Sequence, residues 1–148
     1  MKALTLYQPW ATLVAFGAKR NETRSWSTVY RGPLAIYAGK NVEYIRGRSK
    51  YYICDEHSFD TVLRKAGYFS EDTPFPGKLP LGCIVATCEL VGCQLIEKSD
   101  LPLLSSQEIA FGLYTIGRYM WFLHNVKMLP EPIPAKGAMG LWEWKNNE

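Results

Sequence analysis

Gly17-Ala18-Lys19-Arg20-Asn21-Glu22-Thr23-Arg24-Ser25-Trp26 is the stretch on which the reading of this chain turns. A helix stops at Gly17, where a residue without a Cβ takes a left-handed turn at little cost. From Ala18 to Trp26 the position predicts a strand. Alternation then places Glu22, Arg24 and Trp26 on one face and Asn21, Thr23 and Ser25 on the other. Neither face is apolar, so burial of hydrocarbon does not account for the segment. It is the first place where function explains the residues better than packing.

Toward the N-terminus, Ala3 to Tyr7 is a short strand pattern. Gln8-Pro9-Trp10 turns the chain into the helix, with Pro9 at an early helical position that has no use for an N–H. Trp10, Leu13 and Val14 keep helical spacing. Toward the C-terminus, Tyr30-Arg31-Gly32-Pro33 is a turn, and Leu34 to Ala38 is a strand apolar throughout. Asn41 is placed to cap a helix over 42–45, and Ser58 one that carries Phe59, Val62 and Leu63. The Pro- and Gly-rich run 69–80 is a loop. Gly82 to Val91 is β-rich, and Ser105-x-x-Glu108 is a capping-box pattern ahead of Ile109. Tyr119 to Val126 is a strand, 132–140 a turn-rich loop, and Leu141 to Trp144 a closing strand. Strands outnumber helices without regular interleaving, which points to an α+β barrel-like domain. The whole of 1–148 reads as one domain, with no repeat and no linker.

The 148 residues carry 17 Lys and Arg against 14 Asp and Glu, a formal charge of +3. That mild excess suits a polyanion without demanding one. Neither a leader peptide pattern nor an apolar run long enough for a membrane helix is visible, so a cytoplasmic protein without a membrane partner is expected. Four cysteines occur, with Cys83, Cys88 and Cys93 five apart. In a regular strand Cys83 and Cys93 share a face and Cys88 takes the other, so they do not converge. Cys54 and His57 have no second pair to complete a zinc site. No metal and no cofactor is expected. P-loop, zinc-protease and nucleophile-elbow patterns are absent.

Three blocks of the sequence together resemble the ASCH family. They are Gln8-Pro9-Trp10 with Gly17-x-Lys19-x-x-Glu22-x-Arg24-x-Trp26; Tyr30-Arg31-Gly32-Pro33-Leu34 with Ile36-Tyr37-Ala38; and Leu79-Pro80-x-Gly82-x-Ile84-Val85-Ala86 with Pro132-x-Pro134-x-x-Gly137-x-x-Gly140-Leu141-Trp142. The resemblance implies a PUA-like mixed β-barrel with surrounding helices. It also implies a cleft for RNA or a nucleobase, floored by the G-x-K-x-x-E-x-R segment. Some members are metal-independent ribonucleases, and a sister group deacetylates acetylcytidine. Two departures matter. Tyr37 stands where many relatives have His. Glu22 stands where the deacetylating group has its Thr nucleophile, and Thr23 alternates to the opposite face.

The candidate catalytic residues are Lys19, Glu22 and Arg24. Phosphodiester cleavage needs a group to take the 2′-OH proton and a cation beside the phosphorus, and these are the required types. A surface lysine and a plain Glu22–Arg24 ion pair are the bland alternatives. Candidate ligand-binding residues are the same three with Gln8, Trp10, Trp26, Arg31, Lys40 and Lys136. Trp26 is placed to stack a base, Gln8 is either a cap or a cleft residue, and the outlying cations form either a basic rim or a solvated surface. The expected partner is RNA, single-stranded in preference, or a modified nucleoside. A hydrolase using the same cleft and a protein-interaction module remain as alternatives.

Overall fold

A computed structural model describes residues 1–40, 59–74 and 76–146. Six strands form a single sheet in the order β2-β5-β4-β3-β1-β6. They are β1 (Lys2–Leu6), β2 (Asn21–Arg24), β3 (Gly32–Ala38), β4 (Cys83–Leu95), β5 (Tyr119–Pro134) and β6 (Leu141–Glu143). Among the described residues three short helices accompany them: α1 (Trp10–Phe16), α2 (Phe59–Lys65) and α3 (Ser106–Ala110), with a 3-10 helix over Lys98–Leu103.

β3 is apolar along its length because both faces are covered. Leu34, Ile36 and Ala38 join one core cluster with Leu4, Leu6, Val85, Cys88, Leu90 and Trp121. Ala35 and Tyr37 join a second with Ala3, Ile84 and Trp144. β1 lies parallel to β3, with Leu4 opposite Ile36, and α1 and β2 occupy the crossover that parallel neighbours require. Every other pairing is antiparallel. Ala11, Val14 and Ala15 turn one side of α1 to the first cluster. Leu13 turns the other side to a third, made with Phe59, Leu63, Phe69, Leu79 and Phe111.

The sheet curls into a half-barrel, the α+β architecture anticipated for this chain. It does not close, since β2 and β6 are its two edges. The pairing of β4 shifts register at three places against β5, and each bulge bends the strands. The bulges also change the phase of the side chains. Cys83 and Cys88 therefore share the first core cluster, with Cys93 packed against it, instead of alternating as a regular strand would have them. Burial raises the Cys83 thiol pKa. Burial and the neighbouring Glu89 charge push that of Cys88 up to about 12. Both are inert thiols.

Two further expectations are corrected. β2 ends at Arg24, so Trp26 leaves the strand and Lys19 precedes it. β5 runs on through Pro134 into the stretch expected to be a loop. Its far end is paired with β4, through Cys83 and Ile84, while β2 covers only Tyr119 to Phe122. A one-sided strand end accommodates Pro132 and Pro134, which have no N–H to donate. The helix expected over 42–45, the cap at Ser58 and the Cys54–His57 pair lie outside the described residues. Among the described residues no helix is long and apolar enough to cross a membrane.

Trp121 joins the sheet to its edge. It is fully buried, meets the Trp26 ring edge-on at 4.8 Å and donates its indole N–H to the Trp26 carbonyl. Trp121→Ala is expected to cost about 3–5 kcal/mol in urea unfolding. A loss under 1 kcal/mol would mean that this contact does not hold the edge.

Candidate functional site

The half-barrel leaves a seam where its two ends approach each other, and a cleft of about 290 Å³ opens there. Thr5 and Leu6 from the end of β1, Glu22 to Arg24 from β2, and Met139 and Gly140 ahead of β6 line it. Arg24 closes the seam at one point by donating from Nη2 to the Thr5 carbonyl. Thr5 in turn donates its N–H to the Gly140 carbonyl at 3.1 Å and its hydroxyl to that of Ala138. Trp10, Phe111 and Leu113 supply apolar wall.

The polar segment is pinned before it becomes a strand. Gly17 takes φ 86°, and the N–H groups of Ala18 and Lys19 both donate to the Leu13 carbonyl. Gln107 Nε2 donates to the Ala18 carbonyl at 2.8 Å. The Glu108 carboxylate accepts the N–H groups of Arg20 and Asn21 at 3.0 and 2.9 Å and the Tyr114 hydroxyl at 2.9 Å. Only half of the expected capping box forms: Glu108 N–H donates to Ser105 Oγ. The Glu108 side chain is drawn away to these backbone donors. The reciprocal box lies between Glu97 and Asp100 instead.

Held this way, Lys19 points inward. It is 1% exposed, its Nζ lies 3.8 Å from Glu22 Oε1, and it makes no hydrogen bond. Burial drives its pKa below the ordinary 10.5; the charges of Glu22 and Glu108 oppose that shift, and Arg24 adds to it. Glu22 Oε1 also accepts the Thr23 N–H at 2.9 Å, and Oε2 lies 3.3 Å from Arg24 Nη2. Burial, with the nearby Glu108 carboxylate, raises the pKa of the Tyr114 phenol, so it stays a donor.

Four of the sequence candidates, Trp10, Lys19, Glu22 and Arg24, meet at the cleft. Gln8 lies behind it, fully buried. Its Oε1 accepts the Thr12 N–H and its Nε2 donates to Thr12 Oγ1 and the Pro80 carbonyl, which makes it a cap and a strut. Trp26 borders the cleft beside Gly140 and is 36% exposed. Arg31 donates to the Thr28 and Tyr30 carbonyls. Lys40 lies over Gly82, and Lys136 belongs to a second hollow with Trp142; these three cations are not brought to the cleft. Tyr37 packs edge-on to Trp142 and donates to the Ala135 carbonyl, away from the cleft lining. Thr23, expected on the far side from Glu22, also lines the cleft, where its hydroxyl accepts the Leu113 N–H.

Arg118, Phe111 and Leu113 line the cleft and Glu108 buttresses it, yet none stands out in the sequence. The one signal was Ser105-x-x-Glu108, which marked a helix start without its tertiary contacts. Among the described residues no three His, Cys, Asp or Glu side chains come together to hold a metal.

A family model for the ASCH domain matches residues 4–132. The chain belongs to the ASCH domain family. Over 142 residues it is 28% identical to activating signal cointegrator 1 of Homo sapiens, a match covering 95% of this chain and 22% of that protein. The Mus musculus protein of the same name is also 28% identical, over 143 residues. This ASCH chain thus spans about a fifth of the length of those relatives. Crystal structures of two mutant forms of ZmASCH from Zymomonas mobilis share the fold. One superposes with a TM-score of 0.54 at 11% identity, covering 98% of this chain and 90% of that one. The other gives 0.53 at 12%, covering 98% and 88%.

A buried lysine at 3.8 Å from its carboxylate, with no hydrogen bond, is a cost to this ASCH fold. Lys19→Met keeps the stem and removes the ammonium; because Glu22 keeps Arg24 at 3.3 Å and is not left as an uncompensated buried charge, the change is expected to be neutral or stabilising by about 1 kcal/mol at neutral pH, not to cost the ~3–5 kcal/mol of a stranded charge. The folded-state pKa lies below the unfolded value, so the unfolded chain binds that proton more tightly. The penalty is full below the folded pKa and fades as pH rises toward 10.5. The advantage of Lys19→Met in urea unfolding should shrink over that window. A constant advantage at all pH values would show that the ammonium is not under strain.

Proposed function

We propose that this ASCH domain binds RNA by drawing one unpaired nucleotide, or a modified nucleoside, into the seam cleft. The observation that carries the reading is the pairing of apolar walls (Trp10, Phe111 and Leu113) with the polar group Lys19–Glu22–Arg24 in a space of about 290 Å³. That volume stands at the small end of the ~300–1,000 Å³ usual for ligand pockets. It suits one nucleoside and is far too narrow for a duplex. Sequence-specific RNA binding generally works on bases splayed out of single strands and laid against aromatic side chains. The family membership supports a nucleic-acid role, and the mild excess of positive charge is consistent with it.

A labelled single-stranded oligoribonucleotide tests this by fluorescence anisotropy over a salt series. Arg24→Gln is expected to weaken binding by ~1–3 kcal/mol and to lower the salt slope by about one. Lys19→Met should weaken it as well. Unchanged affinity and slope in both variants would remove the cleft from RNA binding and favour a protein partner.

One observation favours a second, catalytic reading of the same cleft. Lys19 and Glu22 stand within 3.8 Å, and burial lowers the lysine pKa toward the range where an amine exchanges protons readily. If the site cleaves RNA, end-labelled single strands incubated in EDTA should be cut by the wild type, and not by folded Lys19→Met or Glu22→Gln. Intact RNA in every sample would leave binding as the whole activity.

A further inference from the structure

Three buried side-chain nitrogens among the described residues have no hydrogen-bond partner: Lys19 Nζ, Arg24 Nε and Arg118 Nε. All three belong to residues that line the seam cleft. They arrive there from separate parts of the chain: the turn before β2, the end of β2, and the residue before β5. Buried polar atoms are nearly always paired, so three exceptions at one cleft call for a common explanation.

The exceptions are of one kind. Each is a donor. Among the described residues the cleft lining has one carboxylate, Glu22, and both of its oxygens are engaged. Oε1 accepts the Thr23 N–H, with Lys19 beside it, and Oε2 faces Arg24. The unfilled demand is for acceptors: among the described lining residues three cations stand against one carboxylate, with Glu108 behind the lining acting on Lys19. A neutral base edge presents at most two neighbouring acceptors, as guanine does with O6 and N7, and brings no charge. A phosphate brings both charge and enough oxygens for two guanidinium groups, whose planar forks match it.

Both arginines reach the cleft lining from the β2–β5 edge of the sheet. Arg24 is paired with Tyr119 across the β2–β5 ladder, and Arg118 immediately precedes Tyr119. Arg118 Nη2 donates to the Thr23 carbonyl at 3.1 Å, which anchors the guanidinium next to β2. The Arg24 side chain is 21% exposed and Arg118 as a residue is half-buried, so both reach the cleft lining although their Nε atoms are themselves buried. Lys19 lies deeper.

From this we infer that Arg24 and Arg118 form a phosphate seat in the cleft, and that the ligand is a nucleotide held by its phosphate, not a nucleoside held by its base alone. The inference rests on the proposed reading of the cleft as a nucleotide site and adds to it the ligand class and Arg118. The phosphate is either a terminal monoester or an internal diester of a strand.

Titration calorimetry at low salt separates these cases, with the four common ribonucleosides, their 5′- and 3′-monophosphates and the matching dinucleoside monophosphates as probes. Ligands with a phosphate should bind at least about tenfold more tightly than the bare nucleoside. Arg118→Gln should abolish that margin and leave nucleoside affinity in place. Arg118→Lys, which keeps charge without the fork, should restore part of it. Lys127→Gln, an equal loss of charge on the exposed part of β5, should leave the margin intact, which sets a specific seat apart from general attraction. Stronger binding of monophosphates identifies a strand end as the source, and stronger binding of dinucleoside monophosphates an internal position. Equal binding of nucleoside and nucleotide, or a margin that survives in folded Arg118→Gln, overturns the seat while sparing the nucleoside cleft. Absence of binding by every probe overturns both.

Discussion

The sheet of this domain curls without closing, and the rest of the structure follows from how the gap is managed. A sheet edge presents unpaired backbone groups that need either water or a covering partner. Here the approach of the two sheet ends is bridged by a side chain, with the Arg24 guanidinium reaching the Thr5 carbonyl. A strand completing the barrel would have satisfied those groups by backbone pairing and left no cavity. A side-chain bridge satisfies one of them and leaves a recess beside it. The polar character of β2 is then a requirement of position: its side chains line a seam, not a core.

This explains why the segment from Lys19 to Arg24 was conspicuous in the sequence. Its failure to alternate was legible, because period-two burial is a local property and its absence can be seen in four or five residues. The helix stop at Gly17 and the doubly buried β3 were legible for the same reason. The convergence of Lys19 with Glu22 and Arg24 was not legible: alternation from Ala18 puts Lys19 on the opposite face, and it reaches Glu22 because β2 begins only at Asn21. Nor could whatever depends on chain closure be read. Glu108 meets Arg20 and Asn21 across 87 or 88 residues of sequence, and nothing near it announces that its carboxylate serves backbone donors instead of its own helix. Arg118 looks like any arginine in a turn. The bulges in β4 reversed the expected cysteine phase because an extra residue in a strand leaves no compositional trace. From sequence Gln8 suits a cap and a cleft residue equally, and nothing near it announces its burial or its bonds to Thr12 and Pro80.

The cleft wall is not an independent lid. Gln107, Glu108 and the N–H of Leu113 each bond to the segment 18–23, so α3 and the residues after it are fastened to the strand whose side chains they face. A site fastened in this way loses little freedom when it binds, and that saving counts directly toward affinity. The same fastening buries Lys19. An ammonium with one carboxylate at 3.8 Å and no hydrogen bond costs stability that a methionine would not. Proteins keep such costs mostly where removing them would remove a function.

The two kinds of surface in the cleft constrain any ligand jointly. Trp10, Phe111 and Leu113 offer hydrocarbon and aromatic wall, which a small inorganic anion would leave bare. Lys19, Arg24 and Arg118 offer charge and donors, which an apolar ligand would strand without partners at a larger cost than the open cleft bears. A molecule that serves both must have a flat, weakly polar part and an anionic part within the span of a single small recess. Nucleotides have that construction. Under the proposed reading the seam left by an unclosed barrel supplies the recess, and the arginine that bridges the seam supplies part of the charge.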